Sequence, residues 1–273
     1  MIYGMYLSTM GGMCEMSRHD TIANNLANVN TDGFKPNFSI CRSVPAESVI
    51  KGLGRRESDL ILEKTGGGAW VDRTATDFTN GPVIPTDSPL NMAIYDKDPD
   101  RVSFFMVRRR GGAHDGEVHY TRNGMFQRDN DGQLVTTSGD LVLDAEGQPM
   151  TIPQSGTLKI GDDGVIRHTL DNIESVVVGR VGLASLPKLD AELYLKQMGD
   201  NCYVPEEGTD TEMDTVQITA DIKSGMLEQS STNPVYEMVN MIDSQRSFEM
   251  NMRFLSMQDQ TLGQALSRLT PRS

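Results

Sequence analysis

The chain has 273 residues, 38 acidic and 25 basic, for a net charge of -13. An excess of that size repels a phosphate backbone instead of collecting counterions from it, so nucleic acid is excluded as a partner. The length admits one large domain or two small ones with a real core. Its three cysteines, Cys14, Cys41 and Cys202, are too scattered for a disulfide framework or a zinc cluster and are expected as small hydrophobes.

In chain order, the first element is an apolar helix. Tyr6, Met10, Met13, Met16, His19, Ile22, Leu26 and Val29 recur at steps of three and four, which places them on one helical stripe. No Lys or Arg precedes an apolar run here, so no cleaved leader is expected, and no segment reaches the ~18 continuous apolar residues that span a bilayer. The helix ends where Asn24, Asn25, Leu26, Ala27 and Asn28 trade helix formers for residues that compete for backbone hydrogen bonds. Gly33 can then supply a left-handed turn, and Pro36 forbids continuation.

From Pro36 to Pro89 the sequence is too rich in proline for central strands and too apolar for a free linker, so it reads as extended arms. Residues 90 to about 225 read as an antiparallel β domain in meander or barrel form. VSFFMV, EVHYT, QLVTT, TLKI, GVIRH and SVVVGRVGLASL are its strands, and Asp131-Gly132, Glu146-Gly147 and Asp163-Gly164 are its turns. A last strand near Val216 to Ile222 leads through Gly225 to a second long helix, with Asn233 at its N-cap and Pro234 at its first position. On that helix Met238, Met241, Gln245, Phe248, Met252, Leu255, Asp259, Leu262, Leu266 and Leu269 form a second stripe with two polar interruptions. A helix with an apolar stripe buries it against a partner, here the opposite terminus or the termini of neighbouring copies. The expected fold is α+β: 1–35 and 226–273 as a coiled-coil-like helical assembly domain, 36–89 as extended arms, 90–225 as the β domain.

Chemistry-bearing spacings are weak throughout. His114, Asp115, Glu117 and His119 form the one metal-like cluster, and a solvated hairpin around Gly111, Gly112 and Gly116 accounts for it. Asp129, Asp131 and Gly132 resemble the opening of an EF-hand loop but lack flanking helices. Ser138 lies outside a nucleophile elbow, and Gly66 to Gly68 have no following Lys-Ser/Thr. Six arginines between Arg101 and Arg128, and eight acids between Asp200 and Glu228, form runs of opposite sign that could set register between copies.

At this point the motifs become specific. ANNLANVNTDGFK (23–35) resembles the motif that follows the first helix of flagellar rod and hook proteins, and LEQSSTNPVYEMVNMIDSQRSFEMNMRFL (227–255) resembles their C-terminal motif. TDFTNGPVIPTDSPLNMAI, YTRNGMF, GQLVTTSGDLVL and VGRVGL follow the family's central pattern in order, while YDKDPDRVSFFMV departs from it. The matching positions are Asn24, Asn25, Leu26, Ala27, Asn28, Gly33, Phe34, Asn233 and Pro234. The resemblance implies a non-enzymatic axial component of the flagellar basal body, without metal or organic cofactor and without membrane insertion. It implies self-assembly with other rod and hook proteins, and export unfolded through the flagellar type III apparatus with no signal cleaved. RSVPAE (42–47) and FEMNMRFLSMQD lean toward a proximal rod position, DFTNG and NPVYEMVNMI toward a distal one; the proximal position is favoured. The reading from another class is an oligomeric β-domain enzyme or binding module, with the stripes serving oligomerisation alone. A concave site holding a strongly perturbed ionisable group would favour it.

Overall fold

The computed structural model describes residues 2–43, 68–111, 114–153, 156–169, 176–206, 213–215 and 220–269. The RSVPAE stretch from Val44 onward, Gly66 and Gly67, and the start of the strand expected from Val216 lie outside them, as does the Leu269 side chain. The elements run α1 (Ile2–Ala27), β1 (Asn37–Ser43), β2 (Ala69–Thr76), β3 (Val83–Pro85), β4 (Met92–Asp96), β5 (Arg101–Arg108), β6 (Val118–Thr121), β7 (Phe126–Arg128), β8 (Leu134–Thr136) and β9 (Leu141–Val142). After them come β10 (Thr157–Ile160), β11 (Val165–Thr169), β12 (Val176–Arg180), β13 (Leu183–Pro187), α2 (Lys188–Tyr194), β14 (Leu195–Gln197), β15 (Cys202–Pro205), β16 (Ala220–Ser224), β17 (Met226–Glu228) and α3 (Pro234–Leu269). This is an α+β chain, with long helices at both ends and antiparallel strands between.

Two compact units divide the chain: Met1–Ala27, Asn37–Thr76 and Asn233–Ser273 form one, Asn28–Pro36 and Asp77–Thr232 the other. In the helical unit α1 and α3 run antiparallel. Gly4 stands opposite Gln258, Gly12 opposite Phe248, and the Ser244 hydroxyl donates to the Glu15 carbonyl at 2.9 Å. The start of α3 is capped as its sequence requires: Asn233 Oδ1 accepts from the Val235 and Tyr236 amides at 3.1 and 3.3 Å, and Pro234 takes the first helical position. β1 and β2 form an antiparallel hairpin from Asn37 opposite Thr76 to Ser43 opposite Ala69, with an irregularity after Ile40.

In the β unit, β5 is fully buried along its middle and pairs with β6, β9 and β13. The main sheet runs β14-β15-β6-β5-β9-β8-β7, with β13 joined to β5, and β10-β11-β12 form a separate three-stranded sheet. The order is therefore not a plain meander, because β5, the most apolar strand, collects partners distant in sequence. The core holds Met92, Ile94, Phe105, Val107, Phe126, Leu134, Val142 and Ile166, with a second cluster of Phe78, Phe104 and Tyr203 in edge-on aromatic contact. Gly132, Gly147 and Gly164 take positive φ at the turns read from sequence.

The two charge runs meet inside the chain. Arg101 pairs with Asp214 at 3.2 Å, Arg109 with Asp200 at 2.6 Å and Arg122 with Glu228 at 3.1 Å. The antiparallel pairings of β5 and β6 carry the basic residues toward the acidic segment, so those three arginines are already matched within one copy.

Candidate functional site: the terminal helix pair and its junction motifs

The sequence stripes do not lie on one face each. On α3 the residues turned toward α1 are Ser244, Phe248, Asn251 and Gln258, and seven-residue steps put Met241, Leu255 and Leu262 on the same side. All three are half-buried. The alternate members of the stripe, Met238, Met252 and Leu266, are exposed at 46, 47 and 62%. Beside them Val235, Val239, Ile242, Met250, Phe254 and Met257, spaced mostly by three or four, are all at least half exposed. On α1, Tyr6, Met13 and Met16 point outward, Met10 is half-buried near Gly68, and Ile22 is buried. Leu26 is half-buried at the end of α1 and Val29 half-buried in the β unit.

The inner face of the pair therefore mixes small or polar residues, Ser244, Asn251 and Gln258, with half-buried Met241, Phe248, Leu255 and Leu262. Gly4, Gly11 and Gly12 let the axes approach, against Gln258, Asn251 and Phe248, and Oε2 of Glu15 and Oε1 of Gln258 are buried acceptors with no hydrogen-bond partner among the described residues. The outer face also carries large apolar side chains, which an ordinary amphipathic pair would turn inward. An a/d template fitted to the sequence selects one stripe where the helix has two, which is how Val235, Val239, Ile242, Met250, Phe254 and Met257 were missed.

The junction motif acquires a physical role residue by residue. Asn25 is buried; its Nδ2 donates to the Asn37 carbonyl at 2.8 Å and to Glu237 Oε1 at 3.4 Å, while its Oδ1 accepts from the Asn37 amide at 2.8 Å. One amide side chain therefore ties α1, β1 and α3 together. Asn24 is exposed, and Ala27 closes α1. Asn28 begins the turn, its carbonyl accepting from the Thr31 amide and its Oδ1 from the Thr31 hydroxyl. Gly33 has φ +66°, and a Cβ there would fall 2.6 Å from the Arg122 backbone, so both its conformation and its space demand glycine. Phe34 is buried in the β unit.

Lys35, next in the motif, belongs to a cluster that sequence reasoning did not find. Its ammonium donates to Glu228 Oε1 at 2.7 Å and to the Thr79 carbonyl at 2.8 Å. Glu228 also accepts from the Gly81 amide and from Arg122 Nε. Arg122 donates onward to Asp96 at 2.8 Å, the Ser103 carbonyl at 2.7 Å and Asn80 at 2.6 Å. Burial, aided by the Arg122 charge, lowers Lys35 to about 8 against the pull of Glu228. Burial pushes the Glu228 carboxyl up, but Arg122 and Lys35 outweigh it and hold that group below its ordinary value of 4.5. The partners lie far apart in sequence, so no local pattern announces them.

The metal-like cluster resolves into a hairpin. His114 Nδ1 lies 2.9 Å and His119 Nε2 3.6 Å from one oxygen of Glu117, while Asp115 accepts from the Gly111 amide. Burial lowers the pKa of His119. Among the described residues no group of three or more His, Cys, Asp or Glu side chains is arranged to hold a metal ion.

A cavity of about 520 Å³ opens in the helical unit, lined among others by Cys14, Glu15, Arg18, Asn25, Cys41 and Tyr236. Burial first, and then Cys41, pushes the Cys14 thiol up to about 12. That is the direction opposite to nucleophile activation, and the described lining contains no histidine to act as base.

The family model of the flagellar basal body rod FlgEFG protein C-terminal region matches residues 223–268, that of the flagellar hook protein FlgE/F/G D1 domain matches 102–168, and that of the flagella basal body rod protein matches 15–35. The flagellar basal-body rod protein FlgG of Buchnera aphidicola from Schizaphis graminum is 30% identical over 98% of this chain and 100% of its own. The rod protein FlgF of Caulobacter vibrioides is 34% identical over 84% of this chain and 82% of its own, and FlgF of Salmonella typhimurium 29% over 97% of each. With apolar helices at both ends, a β unit between them and relatives of this kind along nearly its whole length, the chain belongs to the family of flagellar basal-body rod proteins.

Proposed function

We propose that this protein is a structural subunit of the flagellar rod, built into the axis by the outward faces of α1 and α3. The observation that carries the reading is the outer face of the helix pair: rows of methionine and large aliphatic side chains stay exposed after the inner face has closed within one copy. Methionine and large aliphatic side chains exposed in rows mark a surface that another chain covers, and rotamer-adaptable methionines suit the slightly different environments of a helical lattice. The occupants are the terminal helices of further copies and of other rod and hook proteins. A proximal position is favoured from RSVPAE and FEMNMRFLSMQD, although relatives named FlgG and FlgF match about equally well. The periplasmic stretch of the axis and export through the type III apparatus without cleavage complete the proposal. Among the described residues no helix is long and apolar enough to cross a membrane. The enzyme or binding-module alternative draws on the helical-unit cavity, whose one strongly perturbed group is a thiol driven away from reactivity.

The test is Met252→Asp combined with Met13→Asp. Both sites are exposed in the single copy, so the circular dichroism and melting of the monomer stay as they are, while buried carboxylates at a packed lattice contact stop polymerisation and motility. Normal swimming of a strain carrying both changes would show that these faces are not the assembly surface.

A further inference from the structure

Helix α1 and strand β1 are joined by polar rungs. Asn25 bonds the Asn37 backbone, and Ser17 and Ser39 share a hydrogen bond of 3.0 Å between their hydroxyls. On the helix, residues 14, 17, 21 and 25 fall on one stripe; on the strand, 37, 39 and 41 fall on one face. Continuing the ladder one step beyond Ser17 and Ser39 brings Cys14 to Cys41. Both thiols are free, and both line the same cavity. Cys14, on α1, is buried, whereas Cys41 is exposed. The irregularity of the β1–β2 hairpin falls at this step, where Cys41 pairs with Val71 after Ile40 pairs with Arg73. The extra residue there is Asp72 of β2, so β1 keeps its alternation and Cys41 stays on the face of Asn37 and Ser39.

We propose that Cys14 and Cys41 are a disulfide site, reduced in a reducing compartment and closed by thiol–disulfide exchange with an oxidised disulfide donor. Cys41 reacts first: its thiolate attacks one sulfur of the donor disulfide, a mixed disulfide forms, and one donor thiolate leaves. Cys14 then gives up its proton to solvent and attacks Sγ of Cys41, forming the internal bond and expelling the second donor thiol. Two protein thiols lose two electrons and two protons in all, and the donor disulfide becomes two thiols. The order follows from access and from the thiol of Cys14 being held protonated by burial and by Cys41. The closed bond would fasten the assembly helix α1 to the β1–β2 hairpin. That an oxidant is met after export rests on the proposed rod function; the pairing of these two residues does not.

The experiment equilibrates the purified full-length chain with oxidised glutathione and counts free thiols after unfolding. The count falls from three to one, and a tryptic map links the peptide ending at Arg18 to the peptide ending at Arg42 within one chain. Cys14→Ser and Cys41→Ser each abolish the link, and Cys202→Ser leaves it intact. Three reactive thiols after equilibration, a bond that requires Cys202, or linkage between chains through Cys41 would overturn the proposal. If the link forms in purified protein but the chain from assembled basal bodies keeps three free thiols, the site stands and its proposed place outside the cytoplasm falls.

Discussion

At the scale of single residues, the Lys35–Glu228–Arg122–Asp96 cluster governs the β unit. Removing the carboxylate leaves two buried cations facing each other, which is the costly way to break a buried ion pair. Glu228→Gln is therefore expected to destabilise the β unit by about 3–5 kcal/mol, read as a lower urea midpoint. Lys35→Met leaves Glu228 with Arg122 as partner and costs less. The pH dependence separates the two groups. Because the folded pKa of Glu228 lies below 4.5, its stabilisation is complete above that value and is lost as pH falls through the folded one. Because Lys35 sits near 8 instead of 10.5, the unfolded chain binds its proton more tightly between those values, so stability rises with pH across that window. The wild type should gain on Lys35→Met as pH rises from 8 to 10.5. The comparison is made against that variant because Cys202, pushed up to about 11 by burial, titrates in the opposite sense in the same range. An unchanged difference across the window would show that Lys35 does not titrate as its surroundings require. Glycines give a second contrast: a Cβ on Gly124 would collide with the Met92 carbonyl, while one on Gly12 clears Phe248 by 3.8 Å. Gly124→Ala should cripple folding, and Gly12→Ala should stabilise α1 by roughly 0.5–1 kcal/mol through helix propensity, both measurable by thermal melting.

At the scale of elements, the sequence shows where helices begin and end better than which side of them faces inward. Asn233 and Pro234 announce the start of α3 because capping is a local transaction, and the observed hydrogen bonds fall where that logic puts them. The direction of the stripe is not local. It depends on which neighbour is small enough to be approached, and the glycines of α1 draw Ser244, Asn251 and Gln258 inward although none of them is apolar. The same holds for strands: Asp131-Gly132 and its like mark turns, but nothing near β5 in sequence shows that β13 will join it. One prediction follows from the two faces of α3. Leu255→Asp buries a charge against α1 and should lower the melting temperature of the helical unit, whereas Met252→Asp, three residues earlier, should not. Equal loss of helix signal in the two variants would mean that the pair has no fixed inner face.

At the scale of the whole molecule, the two units have cores of different kind. The β unit encloses Phe105, Leu134, Val142 and Ile166 at essentially no exposure, with charges neutralised in a closed network. The helical unit closes on glycine, serine and asparagine beside half-buried Met241, Phe248, Leu255 and Leu262, and leaves much of its apolar surface outside. Burial of apolar area supplies most folding free energy, at roughly 25 cal/mol per Å², so the helical unit of a free monomer should open first. A polymer subunit gains from that order, since the apolar faces withheld in the monomer contribute their stabilisation only on assembly. The single tryptophan, Trp70 on β2, reports on the helical unit, and Tyr203, buried beside Phe78 and Phe104, reports on the β unit. In a urea titration of the reduced monomer, Trp70 fluorescence should change at lower denaturant than the near-ultraviolet dichroism of the buried aromatic cluster. Oxidation of Cys14 and Cys41 should move the first transition toward the second. Coincident transitions in the reduced monomer would show that the helix pair is as stable as the β core, and assembly would then need another source for its free energy.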